Sequence, residues 1–127
     1  MTRSWIKILF VIAGIYDAGL GAAFLFFGSD IFRATGVTPP NHFGYIHFPA
    51  LLLIIFGVMF FRIAADPVKN RELILYGVAL KASYSGVAFW YDLHGGIPSL
   101  WMPWAWADLV FLALFLLAWK QTTTATR

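Results

Sequence analysis

The stretch Glu72–Trp90, ELILYGVALKASYSGVAFW, decides the fold, because it is long enough to cross a bilayer yet carries Lys81 at its centre. An ammonium held at mid-bilayer costs several kcal/mol even on lenient insertion scales, so neighbouring helices must supply carboxylates, hydroxyls or water. Two carboxylates are placed for this, Asp17 and Asp108, each near the middle of another apolar segment. At 100° per residue the Lys81 face includes Ile74, Gly77, Tyr84, Ser85 and Ala88. The Tyr84 phenol and the Ser85 hydroxyl then lie one turn from the ammonium and are expected to satisfy its remaining hydrogen bonds.

The composition agrees with a membrane setting. The 127 residues fit one domain, and 61% are hydrophobic while 12% are charged, against about a quarter charged in ordinary soluble domains. With no cysteine, the chain offers no disulfide, thiolate metal site, iron–sulfur cluster or thiol nucleophile. The net charge of +3 does not indicate nucleic acid as a partner, because the basic residues flank apolar spans.

Upstream, the first span is expected over about residues 5–27. It is too long for the apolar core of a signal peptide, is interrupted by Asp17 and is followed by no small-residue cleavage site, so an uncleaved span is expected. Asp17 shares its face with Phe10, Ala13, Gly14, Gly21 and Phe24, while Gly14, Ala18 and Ala22 give small-xxx-small spacing for close helix approach. Gly28 reads as a helix stop, followed by a short interfacial turn around Ile31 and Phe32 and a loop ending at Pro39-Pro40. The second span, about 44–62, tolerates Pro49 in its opening turns, and its middle LLLIIFGVMFF is expected to face lipid around much of its circumference. Asp66-Pro67 reads as an N-cap and first helical residue opening the third span, about 70–91. Gly95, Gly96 and Pro98 punctuate the next loop, and the last span, about 101–119, places Asp108 on a face with Trp101, Trp104, Ala105, Leu112 and Phe115.

Four spans put both termini on one side. Arg3, Lys7, Arg62, Lys69, Arg71, Lys120 and Arg127 fall on that side and only Arg33 on the other, so the termini are expected to be cytoplasmic. Trp5 and Trp119 then mark the inner interface, and Trp90, Tyr91, Trp101 and Trp104 the outer one.

With a rise of about 1.5 Å per residue, Asp17, Lys81 and Asp108 all fall near the midplane of a core about 30 Å thick, Asp108 slightly outward. Two carboxylates against one ammonium leave excess negative charge, so one carboxyl is expected to be protonated or to have a raised pKa, and one aspartate to be the principal partner of Lys81. The cluster has two readings: a structural pair that fixes helix register, or a site for a proton or small molecule, with Trp104 beside Asp108 as the wall of an apolar cavity. At the outer end His42, His47, Asp92 and His94 form a second group that could hold zinc or copper, or haem through two histidines. They lack i,i+3 or i,i+4 metal spacing, which favours hydrogen-bonding interface aromatics. No serine has a histidine at its depth, and no glycine run has the phosphate-cradling pattern.

The segment DPVKNR (Asp66 to Arg71) opening a lysine-bearing third span, the GGIP loop (Gly95 to Pro98) and the final DLVFLALF (Asp108 to Phe115) resemble the small bacterial four-span proteins of the DoxX-like type. The resemblance implies a bundle in a bacterial inner membrane and carries no reaction. The segment NHFGYIHFP, holding His42 and His47, falls outside that pattern. The expected fold is therefore an all-α integral membrane antiparallel four-helix bundle in one domain. Its expected role is non-enzymatic, as an accessory subunit, a partner in a homo-oligomer, or a binder of a quinone or lipid within the bundle. The alternative is a membrane-embedded enzyme or proton-coupled carrier working through Asp17, Lys81 and Asp108.

Overall fold

The computed structural model describes residues 4–125, with side-chain surroundings through residue 122; Arg3 and Arg127 of the charge count lie outside them. Among the described residues the chain forms four α-helices and no strand: α1 (Ser4–Thr35), α2 (Gly44–Ala65), α3 (Arg71–Leu93) and α4 (Met102–Ala125), the last entered through a 3-10 turn at Ser99–Trp101. All four are long and apolar enough to cross a membrane, and short connections make successive helices antiparallel. Ile15, Ile55, Val87 and Val110, one from each helix, are more than half exposed, as an apolar solvent permits.

Two helix ends differ from expectation. Gly28 does not stop the first helix. The chain bends at Phe27 (φ −126°, ψ 21°) and the helix resumes to Thr35. The bend lets Phe32 bury itself against Phe24, Phe43 and Trp101, and Gly36, at φ +70°, then ends the helix in the left-handed conformation that glycine adopts without a Cβ penalty. Asp66-Pro67 likewise does not open α3. Asp66 closes α2, its Oδ1 accepting the Lys69 N–H at 3.1 Å, while Asn70 Nδ2 donates to the carbonyls of Arg62 (2.9 Å) and Asp66 (3.1 Å). The side-chain bonds available to Asp and Asn favour this turn over an earlier helix start.

α1 lies along α2, and α3 along α4. The first pair meets backbone to backbone through small residues: a Cβ on Gly57 would lie 2.8 Å from Ala18 N and 2.9 Å from Gly14 O, and one on Gly21 would lie 2.5 Å from Ala50 O. This is the small-residue face read from Gly14 and Ala18, and it buries part of a second span expected to be largely lipid-facing. The α3–α4 pair is fastened by hydroxyls, with Tyr84 Oη donating to Trp101 O (2.8 Å) and Ser85 Oγ to Ala105 O (2.9 Å).

Two apolar clusters fill the ends of the bundle. Toward the termini, Phe10, Phe60, Ile63, Ile74, Phe115 and Ala118 form a closed core, with Phe10 stacked on Phe115 at 4.7 Å between centroids. Toward the α1–α2 and α3–α4 connections, Phe24, Phe32 and Ala50 pack with Trp101. The polar site lies between them.

Candidate functional site

Lys81, Asp17 and Asp108 meet inside the bundle. Lys81 Nζ donates to Asp17 Oδ1 at 2.8 Å and to Asp108 Oδ1 at 3.0 Å, joining α3 to α1 and α4. The faces read from the sequence bring this about: Phe10, Ala13, Gly14, Gly21 and Phe24 are buried with Asp17, Ile74, Gly77, Ser85 and Ala88 with Lys81, and Ala105 and Phe115 with Asp108. Side-chain exposure is 1% for Lys81 and Asp17 and 9% for Asp108, so the ion pairs stand in a medium of low polarity where removing any one charge is costly. The ammonium also lies 5.0 Å from the centroid of Phe111, 5.1 Å from Tyr16 and 5.7 Å from Phe60, within cation–π range.

Both aspartates accept from the same Lys81 nitrogen, Asp17 at the shorter distance. One expectation is corrected here. Tyr84 and Ser85 do not complete the ammonium's hydrogen bonds, because each hydroxyl is committed to a carbonyl of the 3-10 turn or α4. They hold α4 in place, and so fix Asp108 from behind.

Beside the cluster lies a partly enclosed cavity of about 370 Å³. Asp17 and Asp108 lie at its polar end, Tyr16, Phe24, Tyr84, Trp101 and Trp104 give it aromatic walls, and aliphatic residues of α1, α2 and α3 complete it. Its lining includes the exposed Tyr45, Pro49 and Leu52 of α2. Trp104 walls an apolar cavity beside Asp108, as the sequence suggested. Three lining residues each keep an enclosed polar atom with no hydrogen-bond partner in the protein: Tyr16 Oη, Asp17 Oδ2 and Trp104 Nε1. The Tyr16 and Trp104 rings are 6.2 Å apart.

The α3 serines have their hydroxyls on backbone carbonyls, Ser83 Oγ donating to Ala79 O (2.7 Å) and Ser85 Oγ to Ala105 O (2.9 Å). Toward the termini the interior between the cluster and Thr122 is the apolar core of Phe10, Phe60, Ile74, Phe115 and Ala118. The outer histidines go to local contacts. His42 Nδ1 accepts the Gly44 N–H (2.9 Å), His47 packs on Phe43, and His94 stacks on Trp90 at 4.2 Å with Nδ1 2.7 Å from Trp90 O. Asp92 is exposed, and among the described residues no group of three or more His, Asp or Glu side chains could hold a metal ion.

Sequence reasoning missed Tyr16, Phe60, Phe111 and Tyr45. Tyr16 is one residue, hence 100°, away from the Asp17 face, and only the packing of α1 against α4 turns its ring toward Phe111 and Trp104. Its place beside an intramembrane aspartate was the available signal. Phe60 had none, being one of many aromatics in an apolar run. No family model, curated protein or solved structure matches the chain.

Proposed function

We propose that this multi-pass membrane protein binds a small, mainly apolar molecule of quinone or lipid type in the cavity beside Asp17, Lys81 and Asp108, and performs no covalent chemistry on it. The observation that carries this reading is the pairing of one apolar, aromatic-walled cavity with a charge cluster at its end. A purely structural ion pair gains nothing from an adjoining cavity, which removes packing contacts from the side chains that line it. About 370 Å³ lies within the usual range of small-molecule sites.

The closed core toward the termini favours binding over transport, because a carrier needs a polar route on both sides of its site. The membrane in this proposal is a bacterial inner membrane with both termini cytoplasmic, which rests on the distribution of lysine and arginine and on the DoxX-like resemblance. Its physiological role is that of an accessory component, delivering or sensing the bound molecule for a membrane partner or within a homo-oligomer.

Native mass spectrometry of gently solubilised protein, with extraction and identification of retained small molecules, tests the reading. A quinone or lipid should be retained in near-stoichiometric amount and lost in Leu20→Trp, which fills the cavity from α1. A protein that retains nothing, and takes up neither added quinone nor added lipid, refutes it.

A further inference from the structure

The polar groups around the cavity have a definite hydrogen-bonding sense, and they restrict what the head of a ligand can be. The acceptors are carboxylate oxygens: Asp17 Oδ2, which has no protein partner, and Asp108, whose side chain keeps 9% exposure and lines the cavity. Trp104 Nε1 can only donate and Tyr16 Oη can donate as well as accept, and both are without a protein partner. Lys81 is already engaged by both aspartates. Polar atoms enclosed in this way destabilise the site until a partner reaches them.

A head that only accepts, such as a quinone carbonyl, an ether or an ester, satisfies the donors but sets its lone pairs against a cluster with two carboxylates and one ammonium. A head that is only a cation answers the excess negative charge but leaves Tyr16 Oη and Trp104 Nε1 unpaired, and it approaches the Lys81 ammonium. One hydroxyl meets both demands, because it carries one donor and two lone pairs on a single atom. We infer that the site takes an apolar molecule headed by a hydroxyl, which donates its one hydrogen to a carboxylate oxygen of the Asp17–Asp108 pair and accepts from Tyr16 Oη and Trp104 Nε1. This rests on the binding role proposed above and narrows it: the oxidised, carbonyl form of a quinone is disfavoured, and alcohols and phenols are favoured. The hydroxyl can be aliphatic, as in a long-chain alcohol, or phenolic; both share the chemistry read here.

Calorimetric titration in phosphatidylcholine nanodiscs, with protein-free nanodiscs subtracted, separates the possibilities. Dodecanol is compared with its methyl ether, dodecylphenol with dodecylanisole, and dodecyltrimethylammonium serves as the cation. The alcohol and the phenol should each bind roughly tenfold or more tightly than their methyl ethers, since methylation leaves a carboxylate unpaired. The stronger of the two tells whether the natural head is aliphatic or phenolic. Asp17→Asn presents an amide N–H in place of Oδ2 once its carbonyl serves Lys81, so the preference for alcohol over ether should shrink or reverse. Trp104→Phe, which keeps the aromatic wall, should weaken alcohol and ether alike. Equal binding of alcohol and ether, or tightest binding of the quaternary ammonium, overturns the hydroxyl assignment and leaves the binding role standing. If no probe binds saturably, both fall. If Asp17→Asn does not fold, the ether comparison in the native protein and in Trp104→Phe still decides the matter.

Discussion

Replacing Lys81 by methionine keeps the length of the side chain and removes the buried charge that bridges α3 to both α1 and α4. Two hydrogen bonds of 2.8 and 3.0 Å are lost, and two carboxyls held close to the same nitrogen are left without a cation. At 1% and 9% exposure neither is rescued by solvent. Removing one partner of a buried pair costs about 3–5 kcal/mol, because the remaining charge stays buried and unpaired; the upper part of that range is expected here, since two carboxyls are stranded. Adding Asp17→Asn and Asp108→Asn to Lys81→Met should recover most of the loss, as neutral, well-packed groups replace a buried ionic cluster at little net cost. Reversible unfolding in detergent micelles, arranged as double-mutant cycles, measures the two couplings separately. Lys81 should couple more strongly to Asp17 than to Asp108, since the first pair is shorter and more completely enclosed. Strict additivity of Lys81→Met with both aspartate variants would refute the cluster as an energetic unit.

Other consequences follow from packing. Gly57→Leu should destabilise by about 3 kcal/mol in the same unfolding assay, because its Cβ would meet Ala18 N and Gly14 O, backbone atoms that cannot yield. Gly86→Ala should instead stabilise by about 0.5–1 kcal/mol, since nothing lies within 4 Å of the added carbon. Tyr84→Phe should cost about 1 kcal/mol by leaving the Trp101 carbonyl unpaired, with the loss read in the same way. Reporter fusions at the C-terminus should read cytoplasmic and insertions near Gly36 or Gly95 external; the opposite pattern would overturn the proposed orientation.

What the sequence disclosed followed from two simple rules. Hydropathy and length located the four spans, and helical periodicity placed Asp17, Lys81 and Asp108 on buried faces at matching depth. Both work because a bilayer core penalises every unpaired charge and unbonded backbone group, which leaves few solutions. The errors came where a local signal had to compete with tertiary packing. Gly28 resembled a stop, but burial of Phe32 against Phe24 and Trp101 carried the helix past the bend at Phe27. Tyr84 and Ser85 lie one turn from Lys81, yet α4 approaches so closely that the Ala105 carbonyl and that of Trp101 claim both hydroxyls.

The cavity was the least legible feature, for a physical reason. Its walls come from all four helices and the 3-10 turn, and most of its residues are aromatic or aliphatic side chains indistinguishable in sequence from those that fill the two cores. What separates them is the meeting of the helices. Where Gly14, Gly21 and Gly57 draw α1 and α2 together, the interior closes; the second helix pair is joined instead by hydroxyls on α3 and carbonyls of the turn and α4. Asp17 and Asp108 are therefore contributed by different pairs, and Lys81 bridges them across the joint. The cluster thus holds the two pairs together at the floor of the space between them. A ligand that pairs with Asp17, Tyr16 and Trp104 bears on the same joint, so its binding and the stability of the bundle are linked: a molecule that binds the folded site stabilises it by an amount set by its concentration relative to its dissociation constant. Raising dodecanol in the nanodiscs should therefore slow unfolding of the native protein while leaving Lys81→Met, whose joint is broken, unaffected.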